Sequence, residues 1–424
     1  MPRLMPFRAV HYDPRRVGVD LGALISPPYD VVDGEAAGGL AERHPYNSVR
    51  LELHIPSAES PADRYCRAAA LWEAWRREGI LVQDEVPSLY VCEHAFFHEG
   101  RHLVRAALVG CLAAGVMAHE ETMAAPKQDR LELLRACHAQ FSPILVLYED
   151  HGGLVASALR SEVAGRPPEL EAHTGEEVLR VWRLKEEAVA RVTGVLAPLP
   201  AVIADGHHRY ESARRFAEET GEERHLRVLA ALVSTADPGL VVLPTHRLVR
   251  RAGPGGAEGL VGAVAAAFGC AEVVARAPRA GAAAWWARLE PLVSSRSGLV
   301  SVAAVTAGGA WVLSYQGETA EALRVLDGAV HGGQGATQRA TQGATQGPTA
   351  GGEAGAARAV EYTRDAAYAL DEVLAGRAEV TFLVPAVSVG EVFRKAREGY
   401  RFPRKTTYFH PKVPAGLLVC DLDG

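Results

Sequence analysis

The sequence predicts an α+β protein built on mixed sheets. Strand-like apolar runs and amphipathic helical stretches follow one another without a strict strand–helix alternation. The 424 residues suffice for a large buried core, and 48% hydrophobic with 23% charged residues is ordinary globular composition.

Taken in order, "SPADRYCRAAALWEAWRREG" predicts a helix with Ser60 as N-cap and Pro61 in its first turn. Tyr65, Leu71, Trp72 and Trp75 fall near one face, and Gly79 ends it. "SLYVCEHAFFHEGRHLVRAALVGCLA" alternates about a turn at Glu99 and Gly100, which predicts a hairpin. "KQDRLELLRACHAQ" predicts a second helix closing near Gln140, and "FSPILVLYED" a strand after it. "LRVLAALVSTAD" and "GLVVLPTHRLV" are expected as neighbouring buried strands, and "TFLVPAVS" and "TTYFHPKVPAGLLVCDLD" supply β runs near the end.

Residues 331–358 repeat an ATQ triplet in a Gly-rich background without apolar periodicity. Such a segment cannot bury enough surface to offset its ordering entropy, so a disordered insertion is expected there. It divides a globular body, 1–330, from a segment, 359–424, too short for an independent domain and expected to pack back on that body.

Composition excludes several classes. A net charge of −6 gives no basic surface for nucleic acid. The longest apolar runs fall short of a membrane span, and "MPRLMPFRAVHYD" lacks a secretory apolar segment. Six cysteines without a CxxC pair fit reduced thiols in a cytoplasmic protein. Only five of 45 basic residues are lysines: Lys127, Lys185, Lys395, Lys405 and Lys412. In so Arg-rich a chain the remaining lysines mark places where a compact ammonium serves and a planar fork does not. Lys127 and Lys405, inside dense motifs, stand out.

The densest motif is "PLPAVIADGHHRYESARRFAEE". A strand ending on Asp205, a turn at Gly206 and a helix from His207 aim helical amides at whatever sits above the corner. Arg209 adds a forked phosphate contact, and Asp205 is placed to hold Mg²⁺. The competing reading makes Asp205 a helix cap and the histidines surface residues. A zinc-protease pair is excluded, because adjacent helical residues point about 100° apart. A second motif, "VMAHEETMAAPKQDRLELLRACHAQ", carries His119, Glu120, Lys127, Asp129 and Arg130: a candidate base, a phosphate-neutralising lysine and an acid. Capping of a helix explains the same residues. Weaker candidates are Tyr29 and Asp30 in "ISPPYDVVDGE", His246 and Arg247 in "LPTHRLV", and Arg404, Lys405, Thr406, Thr407, Tyr408 and Lys412 in "GYRFPRKTTYFHPK".

"IADGHHRYESA", with "SPPYDVV", "HEET", "KQDRLELLRA", "SPILVLY", "LPTHRLV" and "KTTYFHPK", resembles a bacterial and archaeal family catalogued as a domain of unknown function. At the corner it is similar to the free-serine kinase branch of the ParB-like and sulfiredoxin-like superfamily. The resemblance implies a nucleotide-binding core in which Asp205, Gly206, His207, His208 and Arg209 hold phosphates and Mg²⁺. The expectation is a Mg²⁺-dependent kinase using ATP or ADP on a small hydroxyl metabolite, foremost free L-serine. Glu120 or His119 would orient the hydroxyl, Lys127 and Lys405 would screen the transferred phosphoryl group, and neither nucleic acid nor membrane would be a partner. The alternative is a nucleotide-gated switch of the ParB type. A sulfiredoxin-type thiol reaction needs a cysteine beside the corner, and residues 198–219 contain none.

Overall fold

A computed structural model describes residues 3–55, 63–113, 116–117, 120, 124–276, 281–332 and 359–424. They form two units: Met1–Val241 with Phe393–Arg401 and Phe409–Gly424, and Val242–Val392 with Phe402–Tyr408. The stretch expected as one body to residue 330 thus divides at Val241/Val242. The segment after the insertion contributes to both units. The ATQ segment from residue 333, and the cap residues Ser60 and Pro61, lie outside the described residues.

The first unit holds an eight-stranded mixed sheet. Its strands are β1 (Leu4–Met5), β2 (Tyr90–His98), β3 (Arg101–Leu112), β4 (Ile144–Tyr148), β5 (Leu170–Thr174), β6 (Glu177–Arg183), β7 (Ala201–Asp205) and β8 (Val228–Ser234). Their order is β7-β4-β8-β3-β2-β6-β5, with β1 on β3. Only β4 and β8 pair in parallel among these strands. β2 and β3 form the expected hairpin, turned by Glu99 and Gly100 at φ 49° and 72°. All residues of β4 and β8 are buried, as their unbroken apolar runs require.

Three helices of this unit are α1 (Arg64–Arg77), α2 (Ala124–Cys137) and α3 (His207–Thr220). α1 buries Trp72 and Trp75, and Trp72 meets Phe141 edge to face. α2 stops at Cys137, short of the expected Gln140: His138 takes φ 47°, and Ala139–Gln140 pairs as a short strand with Cys420–Asp421.

The second unit is built on a seven-stranded antiparallel sheet. His246–Val249 lies in it between Val360–Thr363 and Val380–Leu383. The expectation that this strand neighbours β8 is therefore wrong. Asp237 explains the departure: Oδ1 accepts from Gly239 N and Oδ2 from Ala106 N on β3. Gly239 lies so close to Val104 that an added Cβ would come within 2.5 Å of its carbonyl. The turn is pinned there, and the chain leaves the first sheet. Trp285, Leu370 and Leu383 are part of the core that packs on the second sheet.

Candidate functional site

The corner forms as the sequence predicts, within the first unit. β7 is antiparallel to β4, so Asp205 at its end lies opposite Leu145 near the start of β4. The register slips between Ile203 and Asp205, a bulge that re-aims the last side chain. Gly206 follows at φ 89°, and only glycine fits: a Cβ would lie 2.7 Å from Ile144 Cγ2 and 3.0 Å from Arg209 Nε. Gly206 occupies the N-cap of α3, with no side-chain cap and no acid in the first turn. This removes the capping account of Asp205 and leaves the amide end of a 14-residue helix without a carboxylate of its own.

One turn into α3, Arg209 folds back on the corner. Its Nη2 donates to Asp205 Oδ2 at 2.8 Å and its Nη1 to Pro143 O, while its buried Nε has no acceptor. The other Asp205 oxygen receives Lys412, whose Nζ also stands 3.6 Å from Asp30 Oδ2. Burial alone would raise the Asp205 carboxyl; the Lys412 and Arg209 charges overrule it and hold it well below the usual range. Lys412 is delivered by a buried anchor: Arg105 on β3 donates from Nη1 to Pro411 O at 2.7 Å. Burial lowers Arg105 to about 10, still charged at neutral pH.

Behind Asp205 lies a second layer of charge. Arg130 on α2 sits 4.1 Å above the Tyr29 ring and Arg209 6.0 Å from it. Burial pushes the Tyr29 phenol up to about 12, so this face is neutral. Arg130 pairs with Asp129 Oδ2 at 2.5 Å and donates to Glu52 O at 2.9 Å, and Ser142 Oγ donates to Glu52 Oε1 at 2.8 Å. A cavity lined by Glu52, Arg130, Phe141, Ser142 and Arg209, among others, opens between these groups.

Glu120 is half-buried. Met117 bridges Val202 in parallel, exchanging bonds with Ala201 O and Ile203 N along the edge of β7. His119 lies outside the described residues. His207 is buried and His208 half-buried in the first turn of α3. Lys127 pairs with Glu211 at 2.9 Å, and Ser212 Oγ donates to Lys127 O, so this lysine ties α2 to α3. Lys405 belongs to the second unit, at φ 57°. His246 and Arg247 prove structural: Arg247 is closed on Asp327.

Sequence reasoning placed Asp205, Gly206 and Arg209 together but gave no special weight to Lys412, which completes the carboxylate. It missed Glu52 altogether, since "NSVRLELH" carries no motif. The lysine scarcity was a usable signal for Lys412; the motif density around Lys127 and Lys405 outweighed it.

These parts have the chemistry of an oxyanion site: a helix N-terminus without a side-chain cap, two partly buried cations, and one buried N–H without an acceptor. They also fit Mg²⁺. Lys412 is a single positive charge between the Asp205 and Asp30 carboxylates, and Mg²⁺ is commonly held by one or two carboxylates plus phosphate oxygens.

The chain belongs to the DUF1015 family, described as proteins of unknown function, whose model matches residues 4–329. No curated protein matches it. Among solved structures it is similar to a conserved hypothetical protein from Pyrococcus furiosus, at 14% identity and TM-score 0.37, over 75% of this chain and 96% of that one. It is similar to a free serine kinase in complex with AMP, at 13% identity and TM-score 0.36, over 72% and 86%. A third likeness is to C-terminally truncated SbnI from Staphylococcus aureus, at 11% identity and TM-score 0.35, over 74% and 87%. Among the described residues, no helix is long and apolar enough to cross a membrane.

Proposed function

We propose that the protein is a Mg²⁺-dependent phosphotransferase that uses ATP or ADP to phosphorylate a small hydroxyl metabolite, with free L-serine as the first acceptor to test. The observation that carries this reading is the Asp205 carboxylate held between Arg209 and Lys412 at the uncapped end of α3. Phosphoryl transfer needs little covalent chemistry from a protein; it needs neutralised charge and alignment.

In this reading the first-turn amides of α3, Arg209 and Lys412 receive the nucleotide phosphates. Asp205 and Asp30 hold Mg²⁺, which neutralises charge on the phosphoryl oxygens when bound. Lys412 must then leave Asp205 Oδ1, which turns its ammonium from a carboxylate partner into a phosphate partner. Glu120 orients the acceptor hydroxyl and takes its proton. Charge screening is assigned to Lys412, which stands at the corner beside Asp205 and Asp30, whereas Lys127 ties α2 to α3 through Glu211. The acceptor preference is supported by the resemblance of the DGHHR corner to free-serine kinases.

The test is transfer of ³²P from labelled ATP or ADP to L-serine with Mg²⁺, by wild type and Asp205→Asn. Wild type is expected to form phosphoserine, and the variant to lose at least about 100-fold, the scale for removing a preorganised charge at a reacting centre. Equal transfer by both proteins removes Asp205 from the mechanism. Transfer to a different small alcohol changes the acceptor only.

A further inference from the structure

At the far end of α3, about 20 Å from the corner by helical rise, a second group of side chains converges that the proposed reaction does not use. His138, His225 and Asp423 each offer one ligand atom, and these atoms lie within 4.8 Å of one another. The backbone holds them there. Cys420 and Asp421 pair with Gln140 and Ala139, and Leu422 N donates to His138 O at 2.8 Å, which sets Asp423 beside His138. The Gln140 side chain bonds Arg227 O and Leu229 N, clamping the segment that carries His225.

Thr220 Oγ1 lies 3.1 Å from Phe216 O and 2.8 Å from His225 Nδ1, which joins the ring to the end of α3. The other ring nitrogen, Nε2, lies 3.6 Å from Asp423 Oδ1. That nitrogen is buried and has no hydrogen-bond partner. The ring itself is fully enclosed and stacked on Phe216 at 4.9 Å. A hydrogen bond at one ring nitrogen, with the other nitrogen open to a cluster of ligands, is the usual preparation of a metal-binding histidine.

We propose that His138, His225 and Asp423 bind a divalent transition-metal ion of the zinc type, which ties the C-terminal end of the chain to the end of α3. His138 Nδ1 lies 3.0 Å from Asp423 Oδ2, and His225 Nε2 lies 3.6 Å from Asp423 Oδ1. Donors around a tetrahedral ion with bonds of about 2.0–2.2 Å stand roughly 3.4 Å apart, and the three ligand atoms, all within 4.8 Å of one another, close to that spacing on binding. Two imidazoles and one carboxylate select zinc, cobalt(II) or nickel(II) over Mg²⁺, which takes oxygen donors. The carbonyl end of α3 adds a favourable field for a cation. Glu222 Oε2 is 3.8 Å from His225 Nε2, and Arg224, whose Nη2 stands 3.7 Å from Asp423 Oδ1, swings aside when the ion binds.

The test is titration of the full chain with Co²⁺ in excess Mg²⁺, read by visible absorption and by the unfolding midpoint. Wild type is expected to bind one Co²⁺ with intense tetrahedral bands that Zn²⁺ displaces, and Zn²⁺ is expected to raise the midpoint. Asp423→Asn changes an exposed residue and leaves the fold intact; it is expected to weaken Co²⁺ binding at least tenfold and abolish the midpoint shift. His138→Gln is expected to do the same, whereas Asp205→Asn keeps the bands, separating this site from the corner. Absence of tetrahedral bands in wild type, or equal binding by Asp423→Asn, overturns the proposal and leaves a hydrogen-bonded His–Asp cluster only.

Discussion

Each unit of this protein buries an Arg–Asp pair, and the two pairs are built differently. In the second unit, Arg247 Nε and Nη2 meet Asp327 Oδ1 and Oδ2 at 2.9 and 2.8 Å, and Nη1 goes to Thr245 O. The Nε/Nη2 edge is closed on both carboxylate oxygens, and the Tyr362 ring lies 5.5 Å from the guanidinium. In the first unit, Arg209 gives Asp205 a single bond, keeps one buried N–H without an acceptor, and shares the carboxylate with Lys412. A closed fork offers a ligand nothing. A carboxylate split between two cations at an uncapped helix end has partners that can be exchanged. Burial of charge alone thus does not mark a functional site; incomplete and redundant pairing does.

The largest effect is expected where the pair is closed. Asp327→Ala leaves Arg247 buried without its counter-charge, which costs about 3–5 kcal/mol. Hydrogen exchange should show second-unit amides opening, and Arg247→Met with Asp327→Leu should restore most of the protection. A loss below about 1 kcal/mol would break the contrast between the two pairs.

Acid should weaken the second unit before it discharges the corner. Burial first, and the Arg247 charge beside it, depress His246 to about 4. Because the folded-state value lies below the unfolded one, this contribution is complete above pH 6.5 and is lost as pH falls from 6.5 toward 4. The integrated loss is about 3 kcal/mol. Asp205, held well below the usual range, stays ionised throughout that window. His246→Gln, which still accepts from Val384 N, should flatten the second unit's stability between pH 4 and 6.5. An unchanged slope would place the acid sensitivity elsewhere.

Gly206→Ala sharpens the comparison at the corner. The φ of 89° and the 2.7 Å approach to Ile144 should cost about 1–3 kcal/mol, with nucleotide affinity falling as Arg209 is displaced. The smallest effect belongs to Lys127→Gln. Its pair with Glu211 is about one-third exposed and should be worth less than about 1 kcal/mol, with turnover nearly unchanged. A large loss of turnover would return Lys127 to the catalytic set.

The local part of the corner was legible because it is local. An apolar run stopping at an acid, a glycine at the one position needing positive φ, and a helical run after it specify strand, turn and helix within 20 residues. Lys412 and Asp30 were visible only as weak candidates, because chain segments far apart in sequence bring them to Asp205. Nothing in "GYRFPRKTTYFHPK" says which of its cations turns inward; Arg105, on a strand some 300 residues earlier, decides that by holding Pro411. The same non-locality misled the reading of β8 and His246–Val249. Both are buried apolar runs, and apolarity does not name the sheet that receives them.

The central claim is that Asp205 holds the metal of a nucleotide bound at the end of α3. Calorimetric titration of ADP into wild type and Asp205→Asn, each with and without Mg²⁺, tests it most directly. Without Mg²⁺ the variant should bind ADP at least as well as wild type, since a negative charge near the phosphates is gone. With Mg²⁺, wild type should tighten at least tenfold and the variant should not. An equal response to Mg²⁺ in both proteins, or no binding of ADP by wild type, would contradict the account.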